Sequence, residues 1–241
     1  MKSDHADEQA RIYQTQAELY DELIGAEDAD GALQVELARH ATLEGADVVD
    51  VGAGTGRISR LLASQARSLT LVDRAAPMLA VAQRHLAKVG VPFSVHEADA
   101  QKLPLPDASF DLAVAGWVFG HFRHWMPDGW RGEVARAVAE MRRVVRPGGT
   151  LVVIETLGTG HEQPRKHAGL DEYFDELATL GFSQRWIRTD YQFSSVAEAV
   201  RICGAFFGAE LIATIEHQRW ARVPECTAVF VSQQPGAAFG P

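Results

Sequence analysis

Over residues 47–155, short runs of apolar residues alternate with longer stretches that have helical spacing. Runs of five or six residues rich in Val, Leu and Ile predict buried strands, and the stretches between them predict amphipathic helices. Because parallel strands need crossover helices, this alternation predicts an α/β fold with a doubly wound, mostly parallel, Rossmann-like sheet. The predicted strands are 47–51, 68–72, 93–97, 110–115 and 150–155.

The predicted crossover helices are 58–67, 77–89 and a longer one that places Val134, Val138, Met141 and Val145 on one face. Before the sheet, helices are predicted over 9–23 and 32–40, and a further helix over 170–180 follows it.

The last part of the chain departs from the plain alternation. Residues 184–193 and 226–231 are predicted as two further strands, which gives a seven-stranded sheet. Between them, Ser195 and Glu198 have the spacing of a capping box, which predicts a helix that runs to about Phe207. This helical insertion before the last strand is more than a hairpin needs.

Length and composition fit one domain of 241 residues. We expect an N-terminal helical cap (1–41), a core (42–157), substrate-side elements with the last strands (158–232) and a tail (233–241). A net charge of −9 argues against a partner such as nucleic acid. The apolar runs are too short for a membrane span, and Cys203 and Cys226 have no metal or redox spacing. We therefore expect a cytoplasmic monomer or homodimer with buried thiols.

The loop after the first strand carries the most information about chemistry. Asp50 is followed by Gly52, Gly54 and Gly56. Glycines allow backbone amides to lie close to a ligand, and a strand, loop and helix in this order form nucleotide sites at the carboxyl edge of a sheet. The dinucleotide pattern G-x-G-x-x-G needs a glycine at position 57, where this chain has Arg57.

Four segments in order resemble the class I methyltransferases that depend on S-adenosylmethionine (SAM). They are VVDVGAGTG, LTLVDRAAPML, HEADAQKLPLPDASFDLAVAG and RVVRPGGTLVVIE. The resemblance is to the small-molecule group that includes the quinone-biosynthesis enzymes, and it covers nearly half of the chain. It implies SAM as the cofactor and a small-molecule acceptor, methylated on O, N or C by in-line displacement.

The resemblance also implies which residues bind the cofactor. Asp73, which follows the second strand, would accept hydrogen bonds from both ribose hydroxyls, and Asp99, after the third strand, from the adenine amino group. Each aspartate is also typical of a turn at a strand end. The predicted cofactor-binding residues are Asp50, Gly52, Ala53, Gly54, Gly56, Asp73, Arg74, Met78, Asp99, Ala100, Gly116 and Trp117.

The sequence assigns no catalytic residue, and His121 is the best single candidate, as a general base. The alternative is a structural histidine. His124 lies three residues on, but two imidazoles without further ligands do not make a metal site. Tyr13 and Tyr20 resemble N-terminal tyrosines that fold over SAM in relatives. Methyl transfer from a sulfonium needs mainly proximity and exclusion of water, so few catalytic motifs are expected.

Two other functions stay open. An NAD-linked oxidoreductase would share the glycine loop and Asp73, although the glycine spacing, Asp99 and the Pro-Gly-Gly turn at 147–149 disfavour it. A non-catalytic regulatory module that binds SAM would have the same cofactor-binding motifs in its sequence. The helix that begins at Ser195 is predicted to lie on the substrate side of the site, or else to extend the core or form a dimer contact.

Overall fold

The centre of the molecule is a mostly parallel sheet. A computed structural model describes residues 16–166 and 169–236. The strands in these ranges are β1 (Asp47–Val51), β2 (Ser68–Asp73), β3 (Phe93–Glu97), β4 (Phe110–Gly116), β5 (Val145–Thr159), β6 (Ser183–Arg188), β7 (Tyr191–Gln192), β8 (Arg222–Val223) and β9 (Glu225–Gln233).

Seven of these strands form one sheet in the order β3-β2-β1-β4-β5-β9-β6. Only β9 runs opposite to its neighbours, pairing Val229 with Ile154 of β5 and with Arg185 of β6. The order reverses between β1 and β4, and in open α/β sheets ligands bind outside the carboxyl ends of the strands at such a point. The predicted seven-stranded, doubly wound sheet is confirmed.

Helices cover both faces of the sheet. In the described ranges they are α1 (Ala17–Ala26), α2 (Ala32–Ala38), α3 (Arg57–Leu62), α4 (Ala76–Leu86), α5 (Phe122–Trp125), α6 (Trp130–Val144), α7 (Asp171–Thr179), α8 (Val196–Cys203) and α9 (Ala209–Gln218). A 3-10 turn, Phe119–His121, precedes α5.

Two apolar clusters sandwich the sheet because successive strand residues point to opposite faces. Val49 of β1 belongs to the cluster under α6 and α7, and Val48 to the cluster under α2, α3 and α4. A third, smaller cluster joins α1, α8 and α9 to the two-stranded ribbon of β7 and β8. No helix in the described ranges is long and apolar enough to cross a bilayer.

The prediction of a single strand over 184–193 is wrong, because the segment forms two strands, β6 and β7. It breaks after β6 because the buried carboxylate of Asp190 accepts hydrogen bonds from Arg188 (2.8 and 3.0 Å), from Arg222 (2.9 Å) and from the Glu225 amide (3.1 Å). The chain then leaves the sheet, and β7 pairs with β8 instead. This break moves Tyr191 away from the sheet and into the third cluster.

Other bounds also differ from the prediction, at Val145 and after Cys203 among others. Val145 does not extend the face of α6, because it is the first residue of β5 and pairs with Phe110 of β4. The helix at Ser195 begins as predicted, with the Ser195 hydroxyl accepting from the Glu198 amide at 3.1 Å, but it ends at Cys203. The separate helix α9 then follows, so the insertion before the last strand contains two helices.

Candidate functional site

A cleft lies at the carboxyl edge of the sheet, at β1 and β4, where the strand order reverses. It spans about 870 Å³, counting the open solvent at its mouth. Residues from the ends of all four strands β1 to β4 meet there. Its lining residues are Tyr20, Gly52, Gly54, Asp73, Arg74, Ala75, Met78, Ala98, Asp99, Ala100, Gln101, Gly116, Trp117, Val118, His121, Phe122 and Trp125.

The glycine loop brings backbone to the floor of this cleft. Gly52 has φ 72°, and a Cβ atom there would lie 2.3 Å from Cγ2 of Val118. Gly54 has φ 54°, and a Cβ atom there would face Met78 and Tyr20 at 3.5 and 4.0 Å. At position 52 only glycine combines a positive φ with this close approach to Val118 without a shift of neighbouring atoms. The loop backbone therefore stays open towards a ligand.

Asp73 makes the contacts of a turn residue and also lines the cleft, where its role towards a ribose stays a prediction. Its Oδ2 accepts from the Gly54 amide and its Oδ1 from the Ala75 amide, both at 2.8 Å. Burial raises the pKa of this carboxyl, while the amide hydrogen bonds and Arg74 oppose the shift. The carboxylate therefore fixes the glycine loop and also lines the cleft.

Three of the predicted cofactor residues are not brought to the cleft. Asp50 is 2% exposed and accepts from the amide and hydroxyl of Ser59, at 3.0 and 2.7 Å. Burial raises the pKa of Asp50 to about 6. Ala53 packs in the cluster under α2, α3 and α4, and Gly56 faces Ala82 of α4. Asp50, Ala53 and Gly56 pack on the side of the loop that faces away from the cleft. The other nine predicted cofactor-binding residues line the cleft.

Trp117 carries a strained backbone at the rim of the cleft. Its φ of 56° is uncommon for a large side chain and costs on the order of 1–3 kcal/mol. Its amide donates to the Ile154 carbonyl at 2.7 Å, and its carbonyl accepts from the His121 side chain. The Arg57 guanidinium carbon lies 4.1 Å from the centre of the indole. These contacts hold the indole in place.

His121 lines the cleft and packs against Trp125. Its ring stacks on Trp125 at 5.1 Å with an interplanar angle of 16°. Burial lowers the pKa of His121 to about 4, and His124 contributes in the same direction. The imidazole is thus neutral near pH 7, and its low pKa makes it a weak base. Its role as a general base stays a hypothesis.

Glu155 holds the turn that carries His121. Its Oε1 accepts from the Gly120 amide at 3.0 Å and from the Tyr173 hydroxyl at 2.9 Å. Burial raises the pKa of Glu155 to about 7, partly offset by these hydrogen bonds. The sequence analysis did not identify this carboxyl, which ends the apolar run of β5.

A second cavity adjoins the cleft and shares three walls with it, Tyr20, Trp117 and His121. Tyr13 lies outside the described residues, so only Tyr20 of the two tyrosines is placed. The remaining residues that line the second cavity are Leu23, Ile24, Glu27, Arg57, Thr156, Thr159, Tyr191, Phe206, Phe207 and Glu225.

Three ionisable side chains, Glu27, Arg57 and Glu225, line the second cavity. Arg57 Nη1 donates to Glu27 Oε2 at 2.5 Å, and the Thr156 hydroxyl donates to Glu225 Oε1 at 2.6 Å. Two buried atoms, Arg57 Nη2 and Glu225 Oε2, have no hydrogen-bond partner in the described part of the chain. Burial raises the pKa of Glu27 and of Glu225. The sequence analysis did not identify Glu27, Arg57 or Glu225 as site residues, because they lie far apart along the chain.

Aromatic rings form another wall of this cavity. The Tyr20 and Phe206 rings meet edge to face at 5.9 Å, and the Tyr191 and Phe207 rings at 6.3 Å. Phe206 and Phe207 follow α8, so the chain after Ser195 does reach the cavity beside the cleft.

The fold and the cleft define a Rossmann-like α/β protein with a nucleotide-type site. Residues 49–153 match the family model described as a methyltransferase domain. The chain is 36% identical over 110 residues to demethylmenaquinone methyltransferase of Thermus thermophilus, covering 45% of this chain and 46% of the relative. It is 30% identical over 158 residues to malonyl-[acyl-carrier protein] O-methyltransferase of Serratia marcescens, covering 62% and 55%. The chain thus spans about half the length of these curated relatives.

A solved structure shows the same fold over most of the chain. The phosphoethanolamine N-methyltransferase 2 of Haemonchus contortus, in complex with phosphomonomethylethanolamine and S-adenosylhomocysteine, has a TM-score of 0.58 and 19% identity. The similarity covers 98% of this chain and 60% of that one. At this identity the similarity shows the fold, and the match to the methyltransferase domain model covers residues 49–153 of the 241.

Proposed function

We propose that this protein transfers the methyl group of SAM to a small-molecule acceptor. SAM occupies the cleft, and the acceptor occupies the second cavity. The observation that carries the proposal is the shared wall of Tyr20, Trp117 and His121, which joins a nucleotide-type cleft to a second cavity. A transfer between two substrates requires two such adjoining sites.

The residues of the cleft fit SAM. The carboxylates of Asp73 and Asp99 suit the ribose hydroxyls and the adenine amino group, and the glycine loop leaves room for the methionine part. Met78, Gly116 and Trp117 supply apolar surface. When bound, SAM supplies a methyl carbon that its sulfonium has already activated.

The protein supplies orientation. Tyr20, Trp117 and His121 line the junction of the two sites, where a nucleophile and a methyl group are held at reacting distance. His121 and Glu155 keep these walls in position, with no proton transfer required of either. We further propose that the protein works in the cytoplasm, where the buried thiols Cys203 and Cys226 stay reduced.

Binding measurements test the cofactor. By calorimetry the protein should bind SAM and S-adenosylhomocysteine in the micromolar range and NADH much more weakly. Asp73→Asn removes the charge and one oxygen that also accepts from a loop amide, and it should weaken SAM binding about 10–100-fold, as expected for hydrogen bonds to a charged group. Glu36→Gln is the matched control, since Glu36 is also a buried carboxylate but lies on α2, away from both cavities.

Turnover distinguishes an enzyme from a binding module. Methyl-labelled SAM should label a product when the protein is incubated with a panel of phenols, amines and quinol precursors. Tight SAM binding with no labelled product across the panel would favour the regulatory alternative. NADH binding tighter than SAM binding would favour the oxidoreductase.

A further inference from the structure

We propose that the second cavity takes an acceptor that carries a carboxylate on an apolar body, with Arg57 Nη2 donating a hydrogen bond to a carboxylate oxygen. This inference rests on the proposed function and names the substrate class of the same site. It makes Arg57 a residue that determines specificity.

Arg57 is held in place beside the cavity and keeps one donor unused. Its side chain is 12% exposed, its Nη1 donates to Glu27 Oε2 at 2.5 Å, and its guanidinium carbon lies 4.1 Å from the centre of the Trp117 indole. Nη2 is buried and has no hydrogen-bond partner in the described ranges. A buried donor without a partner is unfavourable, and more so when it is charged, so binding of a ligand oxygen at Nη2 is favoured.

The two carboxyl groups of the cavity, Glu27 and Glu225, leave Arg57 Nη2 to a ligand. Burial and the neighbouring Glu27 raise the pKa of Glu225 to about 8, so this carboxyl is mostly protonated at pH 7 and does not repel an anion. Both oxygens of Glu27 are bound to the protein, since Oε2 accepts from Arg57 Nη1 and Oε1 accepts from the Thr189 hydroxyl at 3.1 Å.

The charges around the cavity favour one negative charge on the ligand. Arg57 is the one Lys or Arg among the described residues that line it. Burial lowers the pKa of His121 to about 4, raises that of Tyr20 to about 12 and raises that of Tyr191 well above its usual value, so all three are neutral at pH 7. One guanidinium matches a carboxylate, whereas a phosphate monoester would bring a second charge that has no cation.

The remaining walls set the body of the ligand. Tyr20, Phe206 and Phe207 present aromatic surface, and Leu23 and Ile24 present aliphatic surface. Aromatic faces pack against apolar rings. The cavity thus combines an apolar body site with one cationic end.

Three probes with a phenyl body test this selection: benzoate, benzamide and phenyl phosphate. Benzamide has nearly the shape of benzoate without its charge, and phenyl phosphate carries about two negative charges at pH 7. Dissociation constants are measured at pH 7 by ligand-observed NMR titration of the full chain saturated with S-adenosylhomocysteine. We expect benzoate to bind about tenfold more tightly than benzamide, because hydrogen bonds between charged partners are stronger, and also more tightly than phenyl phosphate.

The double variant Arg57→Gln with Glu27→Gln identifies the residue responsible. It removes both charges of the ion pair, so Glu27 is not left without its partner and the formal net charge of the chain stays the same. The ratio of benzoate affinity to benzamide affinity should fall about tenfold. A role of this pair in folding alone would weaken both probes equally, and such an unchanged ratio would overturn the inference.

The matched control is Arg60→Gln with Asp21→Asn. This ion pair, at 3.0 Å, links α3 to α1 close to Arg57 in the sequence, and neither residue lines the cleft or the second cavity. The control should leave the ratio of benzoate affinity to benzamide affinity as it is in the wild-type protein.

The outcomes separate the two proposals. Failure to bind S-adenosylhomocysteine or SAM overturns the proposed function itself. If the cofactor binds, then benzamide or phenyl phosphate binding as tightly as benzoate, or no binding by any of the three, overturns the inference about the carboxylate. The ranking in the wild-type protein decides this even if the double variant does not fold.

Discussion

Replacing Glu155 by Gln should make the protein more stable at neutral and alkaline pH. Glu155 is 4% exposed, and its Oε1 accepts two hydrogen bonds, from the Gly120 amide and the Tyr173 hydroxyl. Glutamine has the shape of the protonated acid and keeps an oxygen for both donors. The variant therefore removes the ionisation and retains the contacts.

The size of the effect follows from the pKa. Burial raises the pKa of Glu155 from 4.5 to about 7. The folded state then binds this proton more tightly than the unfolded state, so its stabilising contribution is complete below pH 4.5 and is lost as the pH rises to about 7. At about 1.4 kcal/mol for each unit, the loss amounts to about 3 kcal/mol.

Urea denaturation of both proteins at several values between pH 4 and pH 8.5 measures the effect. The free energy of unfolding of Glu155→Gln minus that of wild type should increase by about 3 kcal/mol across this range, mostly between pH 4.5 and pH 7. Other titrating groups are common to both proteins and cancel in the difference. A difference that stays constant with pH would refute the argument that burial raises the pKa of Glu155.

Three further outcomes are expected. Turnover should show no inflection near pH 6.5 from His121, because burial lowers its pKa to about 4; an inflection there that His121→Gln removes would contradict this. Phe206→Ala and Phe207→Ala should each weaken binding of an acceptor found in the turnover panel about fivefold, as expected for loss of an aromatic contact, with SAM affinity nearly unchanged; calorimetry that finds SAM equally affected would contradict the placing of the acceptor in the second cavity. Ser195→Ala should lower the free energy of unfolding by about 1 kcal/mol, because the N-cap of α8 is lost; urea denaturation with no change would show that the cap is dispensable.

The sheet and the cleft could be predicted because the residues that form each strand and the turn after it are neighbours in the sequence. β1 and β3 have the predicted bounds: β1 is a short apolar run, and β3 alternates apolar Phe93 and Val95 with polar residues. The carboxyl ends of successive parallel strands meet at one edge, so residues such as Asp73 and Asp99 come together without any knowledge of packing.

The second cavity could not be predicted because it depends on contacts between distant segments. Glu27, Arg57 and Glu225 follow no common period, and their ion pairs and unpartnered atoms exist only after α1 and β9 pack beside the glycine loop. In the same way, the break at Asp190 depends on Arg222, which is 32 residues away. A pattern of apolar positions carries no signal for such charge pairs.

The two cavities draw on different parts of the chain, which has a consequence for how specificity evolves. Of the 17 residues that line the cleft, all but Tyr20 lie within 49–153. Of the 13 that line the second cavity, only Arg57, Trp117 and His121 do. On the proposed assignment of SAM to the cleft and of the acceptor to the second cavity, exchange of the flanking segments between relatives would change the acceptor and keep the cofactor site. Chimaeras with new flanking segments on this core would test that expectation.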